Sequence, residues 1–271
     1  MKGNLALLQL LLNSGRVDAD CKDSYGTTAL MVASYSGHYD CVKELIMQGA
    51  DINLQRESGA TALFLASQQG HNDIVKLLFE FGASTEFKTK LNLHHRVPAI
   101  RRRPCIACRS PRDDGATPLF LAAQEGHLTV IRQLLSSGAK VNHPREDGTT
   151  PLWMAAQMGH SEVVKVLLLR GAERDADRKD GTTALFKAAF KGHNSVVEEL
   201  LKFSPSLGLL KNGSTALHAA VMGGNLRAVV LLLRANADPT LTNKNKELPA
   251  DVTKNERILR LLRTRMVDGG S

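Results

Sequence analysis

Residues 148–172 read GTTPLWMAAQMGHSEVVKVLLLRGA, and this stretch decides the fold. Its opening glycine permits the positive backbone φ of a tight turn. Thr150 stands where it can cap a first helix, and Pro151 suits the first helical position because no amide donor is missed there. Gly159 ends this helix, and Gly171 ends a second helix that follows it. The stretch therefore predicts two short helices behind one turn.

The two predicted helices carry different apolar faces. In the first, Leu152, Ala155 and Ala156 lie three or four residues apart, and small alanines there let a neighbouring helix approach closely. The second carries an apolar quartet, which consists of Val163, Val164, Leu167 and Leu168. Both faces need a partner, so one such pair of helices cannot form a core alone.

The same turn recurs along the chain. Its glycines are Gly26, Gly59, Gly115, Gly148, Gly181 and Gly213. The steps between them are 33, 56, 33, 33 and 32 residues. A domain with one global core has no reason to keep such a period, whereas proteins that stack one small unit do. The function should therefore lie on an extended surface and not in a catalytic pocket.

The recurring unit resembles the ankyrin repeat family. That family follows the pattern D-x-x-G-x-T-P-L-H-x-A-A, then a Gly-His pair and a Leu-Leu-x-x-Gly-Ala ending. Gly-His pairs stand here at Gly37-His38, Gly70-His71, Gly126-His127, Gly159-His160 and Gly192-His193. The resemblance covers nearly the whole chain except residues 90–112. It implies an all-α fold, an ankyrin repeat solenoid of stacked helix-turn-helix units with β-hairpin-like loops.

The repeat positions divide the chain into four segments. Residues 1–89 should hold a half unit and two full units, and residues 113–263 four units and a shortened cap. Residues 90–112 form an insert without any repeat signature, and residues 264–271 should be a frayed tail. The fifth unit ends in Ser204-Pro205 instead of Gly-Ala, so its second helix should stop early.

The insert is strongly basic. It holds seven Lys or Arg and no acid, so removing it would lower the formal net charge from +8 to +1. The high overall pI is therefore no evidence of a nucleic-acid-binding face on the repeats. Three prolines and the lack of any helical or alternating period predict an irregular loop.

Two specific functions can be considered for the insert, zinc binding and nucleic-acid contact or nuclear import. Both have less support than the interpretation that the insert is a solvated basic loop. His94, His95, Cys105 and Cys108 are potential zinc ligands. However, adjacent histidines of an extended chain point to opposite sides, and no second well-spaced pair closes a tetrahedral site. Arg101-Arg102-Arg103 could contact RNA or direct nuclear import, but interleaved aromatic residues for base stacking are missing. We therefore expect no metal site and no nucleic-acid partner, and a weak metal or nucleic-acid contact through the insert is an alternative function.

Nothing in the sequence favours catalysis. The Gly-His histidines are spaced one per repeat, which denies them a common site and indicates a structural role. No phosphate-binding glycine loop or nucleophile-base pair appears outside the repeat positions, so we expect no enzyme, no small-molecule substrate and no cofactor. No apolar run reaches the eighteen or so residues that a membrane span requires. Four cysteines give no disulfide framework, which favours an intracellular protein with reduced thiols, located in the cytoplasm and also in the nucleus. We expect this protein to be a monomer.

The resemblance implies that another protein is the partner. In ankyrin proteins the turn tips and the exposed face of each first helix line a concave groove that binds proteins. The corresponding residues here are Tyr25, Tyr35, Gln68, Gln69, Gln124, Glu125, Trp153, Gln157, Met158, Phe190, Lys191 and Met222. Trp153 has packing between repeats as an equal alternative. It belongs to a column that we expect to be partly exposed, made of Met31, Phe64, Phe120, Trp153 and Phe186.

A second function is also open. Ankyrin repeats can be hydroxylated on asparagine in the hairpin, which would make this chain the substrate of an asparaginyl hydroxylase. The candidate residues are Asn53 and Asn142, because each follows a leucine eight residues earlier, Leu45 and Leu134.

The insert should not interrupt the stack. Closing a loop of 23 residues costs roughly 3 kcal/mol, whereas each buried Leu, Val or Phe between two repeats contributes about 1.5–3 kcal/mol. The repeat at 59–89 should therefore pack directly on the repeat at 115–147. Deleting residues 90–112 should raise the melting temperature or leave it unchanged in a circular dichroism melt. A large drop would contradict this prediction.

Overall fold

The computed structural model describes residues 4–89 and 115–268, with side chains as far as Arg265. Within these ranges the secondary structure consists of fourteen α-helices and two isolated β-bridges, Lys22–Thr28 and Asp177–Thr183, without a strand. The chain divides into two compact units, Met1–Lys140 and Val141–Ser271.

The first unit contains a single helix followed by three helical hairpins. Its described helices are α1 (Leu5–Asn13), α2 (Ala29–Ser36), α3 (Tyr39–Met47), α4 (Ala62–Gln69), α5 (Asn72–Glu80), α6 (Pro118–Glu125) and α7 (Leu128–Ser136). The first helices of the hairpins pack in the order α2, α4, α6. The second helices pack in the order α3, α5, α7, and α1 packs against α3.

The second unit repeats this arrangement. Its described helices are α8 (Pro151–Met158), α9 (Ser161–Leu169), α10 (Ala184–Lys191), α11 (Asn194–Leu201), α12 (Ala216–Met222), α13 (Leu226–Arg234) and α14 (Glu256–Asp268). The first helices pack in the order α8, α10, α12, and the second helices in the order α9, α11, α13, with α14 against α13. The stacked helical hairpins confirm the expected all-α ankyrin fold class.

The repeats on either side of the insert are in direct contact, as predicted. Helix α4 packs against α6, and α5 packs against α7. The Thr89 amide donates a hydrogen bond to the Ala116 carbonyl at 3.0 Å. Residues 90–114 lie outside the described part of the chain, and with them the zinc and basic-patch hypotheses for the insert.

Threonine caps begin the first helices. In each one the threonine side chain accepts a hydrogen bond from the backbone amide three residues later. The capping residues are Thr28, Thr61, Thr117, Thr150, Thr183 and Thr215. Pro118 and Pro151 stand in the first turn, as the sequence predicted. These caps satisfy amides that the helix itself leaves unpaired.

Histidines of the Gly-His pairs join one repeat to the previous one. The ring Nε2 donates to the backbone carbonyl at the end of the preceding first helix, and we call this contact the histidine lock. The locks are His71 to Tyr35 at 3.0 Å, His127 to Gln68 at 3.0 Å and His193 to Gln157 at 2.9 Å. Asn225 takes the same place, since its side-chain amide donates to the carbonyls of Ala189 and Phe190 at 2.8 Å. The structural role predicted for these histidines is confirmed at three positions.

The expectation of a partly exposed apolar column is wrong. Met31, Phe64, Phe120 and Trp153 are buried, with exposed fractions of 1%, 5%, 1% and 2%. Only Phe186 is half-buried. Neighbouring first helices pack closely over small alanines, and this contact covers the third residue of each helix.

The repeat irregularities have local effects. Helix α11 is one residue shorter than α9, and Ser204 takes a left-handed conformation with φ 51°, where the preceding repeats have glycine. At the end of the chain α14 continues to Asp268, whereas the sequence predicted a frayed tail from residue 264. Arginine is a good helix former, which explains the longer helix.

The histidine lock makes one glycine cap more sensitive than another. Gly70 (φ +76°) and Gly138 (φ +87°) are both left-handed, so alanine should cost about 1 kcal/mol at either site. A Cβ at Gly70 would lie 2.6 Å from Nδ1 of His127, whereas nothing lies within 4 Å of one at Gly138. We expect Gly70→Ala to lower the unfolding free energy by at least about 1 kcal/mol more than Gly138→Ala in urea denaturation, because the lock is lost as well. Equal losses would contradict the lock.

Candidate functional site

The residues predicted to bind a partner lie mostly at the ends of first helices. We call the last two residues of a first helix its helix-end residues. Among them Tyr35, Gln68, Gln124 and Gln157 are half-buried, and Gln69, Glu125, Met158, Phe190, Lys191 and Met222 are exposed. Tyr25 lies at a hairpin tip, 59% exposed. The sequence therefore placed these side chains on the surface correctly.

At several of these positions a neighbouring repeat holds the backbone in place. The carbonyls of Tyr35, Gln68 and Gln157 accept the histidine locks. At Phe190 the carbonyl accepts from Asn225. Hairpin tips are tied in a similar way, since the Glu57 amide donates to the Tyr25 carbonyl at 3.0 Å. The main chain of this surface is thus held in place, whereas its side chains differ from one repeat to the next.

Trp153 is a packing residue. Its side chain is 2% exposed, which agrees with the packing alternative. The Arg178 guanidinium lies over its ring, 4.7 Å from the ring centre. Its indole Nε1 is buried without a hydrogen-bond partner among the described residues. Trp153 is therefore a buried residue that contacts the surface residue Arg178.

Charged groups surround the α10 end of this surface. Arg178 forms ion pairs with Asp147 at 2.9 Å and with Asp180 at 3.3 Å, so its charge is balanced. The ammonium of Lys187 lies 5.5 Å from the centre of the Trp153 ring and 5.9 Å from that of the Phe190 ring. Cations over aromatic faces are attracted by the ring quadrupole. A lysine is thus held between two rings.

Burial and charge shift three pKa values here. Partial burial, with the positive charges of Lys191 and Arg178, lowers the pKa of Lys187. Partial burial acts to raise the pKa of Asp147 and Asp180, but hydrogen bonds from Thr149 and Thr182 and the charge of Arg178 outweigh it. Both carboxyl pKa values are therefore lowered. At Lys187, partial burial and the two positive charges outweigh the attraction of the Asp180 carboxylate.

Arg178 and Lys187 were not predicted from the sequence. One signal was present, because Lys187 occupies a position that is apolar in the other repeats. The equivalents are Val32, Leu65, Leu121, Met154 and Ala219. Arg178 had no comparable signal, because arginine also stands at the equivalent positions Arg56 and Arg145.

The candidate hydroxylation sites hold neighbouring loops together. The Asn53 side chain donates to the Gly82 carbonyl at 3.2 Å and accepts from the Ser84 amide at 2.9 Å. Asn142 makes the same pair of bonds, to the Gly171 carbonyl and from the Glu173 amide. An enzyme would have to open these loops to reach either residue. Hydroxylation stays a prediction.

The described ranges contain neither a membrane-spanning helix nor a cluster of metal ligands. No helix there is long and apolar enough to cross a bilayer. The described His, Cys, Asp and Glu side chains do not gather in any group of three or more that could hold a metal ion.

Stacked helical hairpins with fixed backbones and exposed helix-end side chains define a repeat protein of the ankyrin class. The family model described as "Ankyrin repeats (3 copies)" matches residues 1–90, 102–177 and 167–243. The chain belongs to the ankyrin repeat family. Ankyrin repeat domains are generally protein-interaction modules and are typically non-enzymatic.

Relatives and solved structures agree with this assignment. The chain is 75% identical over 280 residues to ankyrin repeat domain-containing protein 29 of Danio rerio, covering 100% of this chain and 94% of the relative. It is 66% identical over 274 residues to the protein of that name in Homo sapiens, covering 97% and 91%. The crystal structure of the human ASB11 ankyrin repeat domain has a TM-score of 0.74 at 26% identity, covering 88% of this chain and 98% of that one. The ankyrin repeat domain of Bcl-3, a member of the IkappaB family, has a TM-score of 0.71 at 28% identity, covering 88% and 99%.

The lowered pKa of Asp147 predicts a loss of stability in acid. A carboxyl whose folded pKa lies below its unfolded value of about 3.9 stabilises the fold above that pH and loses this effect as the pH falls. Asp147→Asn should therefore be less stable than the native chain at pH 7, by about 0.5–1 kcal/mol given its partial exposure. The difference should shrink below about pH 4 in chemical denaturation. Glu146→Gln, an exposed neighbour, serves as the control, and a constant difference for Asp147→Asn would contradict the assignment.

Proposed function

We propose that this chain is a non-enzymatic scaffold or adaptor that binds another protein through its helix-end residues and hairpin tips. One observation carries the proposal. At Tyr35, Gln68, Gln157 and Phe190 the next repeat binds the main-chain carbonyl, while the side chain stays half-buried or exposed. Such a surface loses little conformational freedom on binding, which favours affinity.

The side chains on this surface suit a protein partner. Tyr25, Met158, Phe190 and Met222 are 59%, 47%, 39% and 45% exposed and belong to different repeats. Aromatic residues and methionine are enriched in the cores of protein interfaces. Because they are spread over several repeats, they fit an extended protein surface better than a small molecule.

The remaining parts of the proposal concern context. We propose a monomer in the cytoplasm, with the nucleus as the alternative location. Nucleic acid, membrane and small-molecule ligands are not part of the proposed function. Hydroxylation of Asn53 or Asn142 is compatible with it, since a scaffold can also be an enzyme's substrate.

Site-specific cross-linking tests the proposal. Phe190 is replaced with the photoreactive analogue p-benzoylphenylalanine, which preserves an aromatic side chain, and the full chain is expressed in cells. We expect light-dependent cross-links to one or a few proteins, because this position faces the partner. Mass spectrometry of the cross-linked bands identifies them.

The matched control is the same replacement at Leu169. This residue is 66% exposed at the end of a second helix, so it presents an apolar side chain outside the proposed surface. The same cross-linked proteins at both positions, or none at position 190, would overturn the proposed surface.

A further inference from the structure

One face of α10 combines two lysines with an exposed aromatic ring. Phe190 and Lys191 follow Lys187 by three and four residues, so both lie beside Lys187 on one side of the helix. We call these three residues the α10 face. Phe190 is 39% exposed and Lys191 is exposed, whereas Lys187 is half-buried beside the Trp153 and Phe190 rings. The position of Lys187 is thus supported by contacts with the Trp153 and Phe190 rings.

Within the described part of the chain, the lysines of the α10 face have no carboxylate within ion-pair distance, although Asp180 attracts Lys187 from further away. Neither Lys187 nor Lys191 forms an ion pair or a side-chain hydrogen bond there, whereas the neighbouring Arg178 is paired with two carboxylates. The two lysines stand four residues apart and repel each other, which costs stability. An anion that bound both would relieve this repulsion.

Apolar side chains border the α10 face on both sides. Helix α10 packs between α8 and α12, whose helix-end residues include Met158 and Met222. These methionines are 47% and 45% exposed. Methionine is flexible and polarisable, and it adapts to the shape of a bound apolar group.

The other first helices lack this combination. Helices α2, α4, α8 and α12 contain no Lys or Arg, and α6 ends in Glu125. Within the described first helices the paired lysines are therefore peculiar to α10. Repeat packing does not require them, because apolar residues occupy the Lys187 position elsewhere.

We propose that the α10 face binds an acidic segment of a partner protein, whose carboxylates contact Lys187 and Lys191 while an adjacent apolar side chain packs against Phe190. This inference rests on the proposed function and names the chemistry of its partner. Charge complementarity gives specificity and faster association, and Phe190 with the two methionines supplies apolar contact area.

A nucleic acid fits the same face less well. Binding to a phosphate backbone needs a row of cations, and single strands also need several rings for stacking. The α10 face offers two lysines and one exposed ring. An acidic protein segment makes fewer demands of this kind.

Selection from a phage-displayed library of short random peptides tests the inference on the full chain. Peptides selected on the native protein should be rich in Asp and Glu next to an apolar residue. The dominant peptide is then synthesised with a fluorescent label, and its affinity is measured by anisotropy. Lys187→Glu/Lys191→Glu should weaken binding by about tenfold or more, because attraction becomes repulsion.

Two further variants keep the result interpretable. Lys165→Glu/Arg170→Glu makes the same change in net charge at exposed positions in and directly after α9, outside the α10 face. It should change the affinity by less than about twofold. Lys187→Gln/Lys191→Gln removes the charges without adding acids and should also weaken binding. Circular dichroism melts establish that each variant folds.

Several outcomes would overturn the inference. Selected peptides that are neutral, or that bind the α10-face variants as well as the native chain, would do so while leaving the proposed function intact. A labelled oligouridylate that binds more tightly than the peptide, and loses binding with Lys187→Gln/Lys191→Gln, would replace the acidic protein by a nucleic acid. Enrichment of no peptide would also count against it, and cross-linking at position 190 then decides the proposed function separately.

Discussion

The hydrogen bond from a histidine ring to the end of the preceding first helix is the contact on which the surface depends. It satisfies a helix-terminal carbonyl that would otherwise face solvent or stay unpaired. It also brings the ring against the capping glycine, so that Gly70 is needed both for its left-handed backbone and for its missing Cβ. One contact therefore fixes the spacing of repeats and the direction of the exposed helix ends.

Most of the fold could be predicted because each repeat has the same pattern of capping, apolar and glycine residues. Thr150 caps, Pro151 starts and Gly159 ends a helix by interactions that depend only on nearby residues. The packing of repeats across the insert was also predictable, since burial outweighs the cost of closing a loop. The end of α14 was not, because helix ends fray and extend according to small differences in propensity.

The candidate site was predicted less completely, for a physical reason. The spacing of apolar residues indicates which side chains lie outside the core, and it correctly placed Phe190 and Met158 on the surface. It does not tell how large side chains settle between helices, so Trp153 was open to both interpretations and proved buried. Arg178 and Lys187 acquire their importance from contacts with Trp153 that only three dimensions reveal.

The histidine lock has a consequence for the history of such a protein. Its acceptor is a main-chain oxygen, which every amino acid possesses; tyrosine and glutamine occupy that position here, and phenylalanine does so where Asn225 replaces the histidine. Natural selection can therefore exchange these side chains one at a time without dismantling the scaffold beneath them. Descendants of one ancestral gene can acquire new binding preferences while inheriting the same architecture.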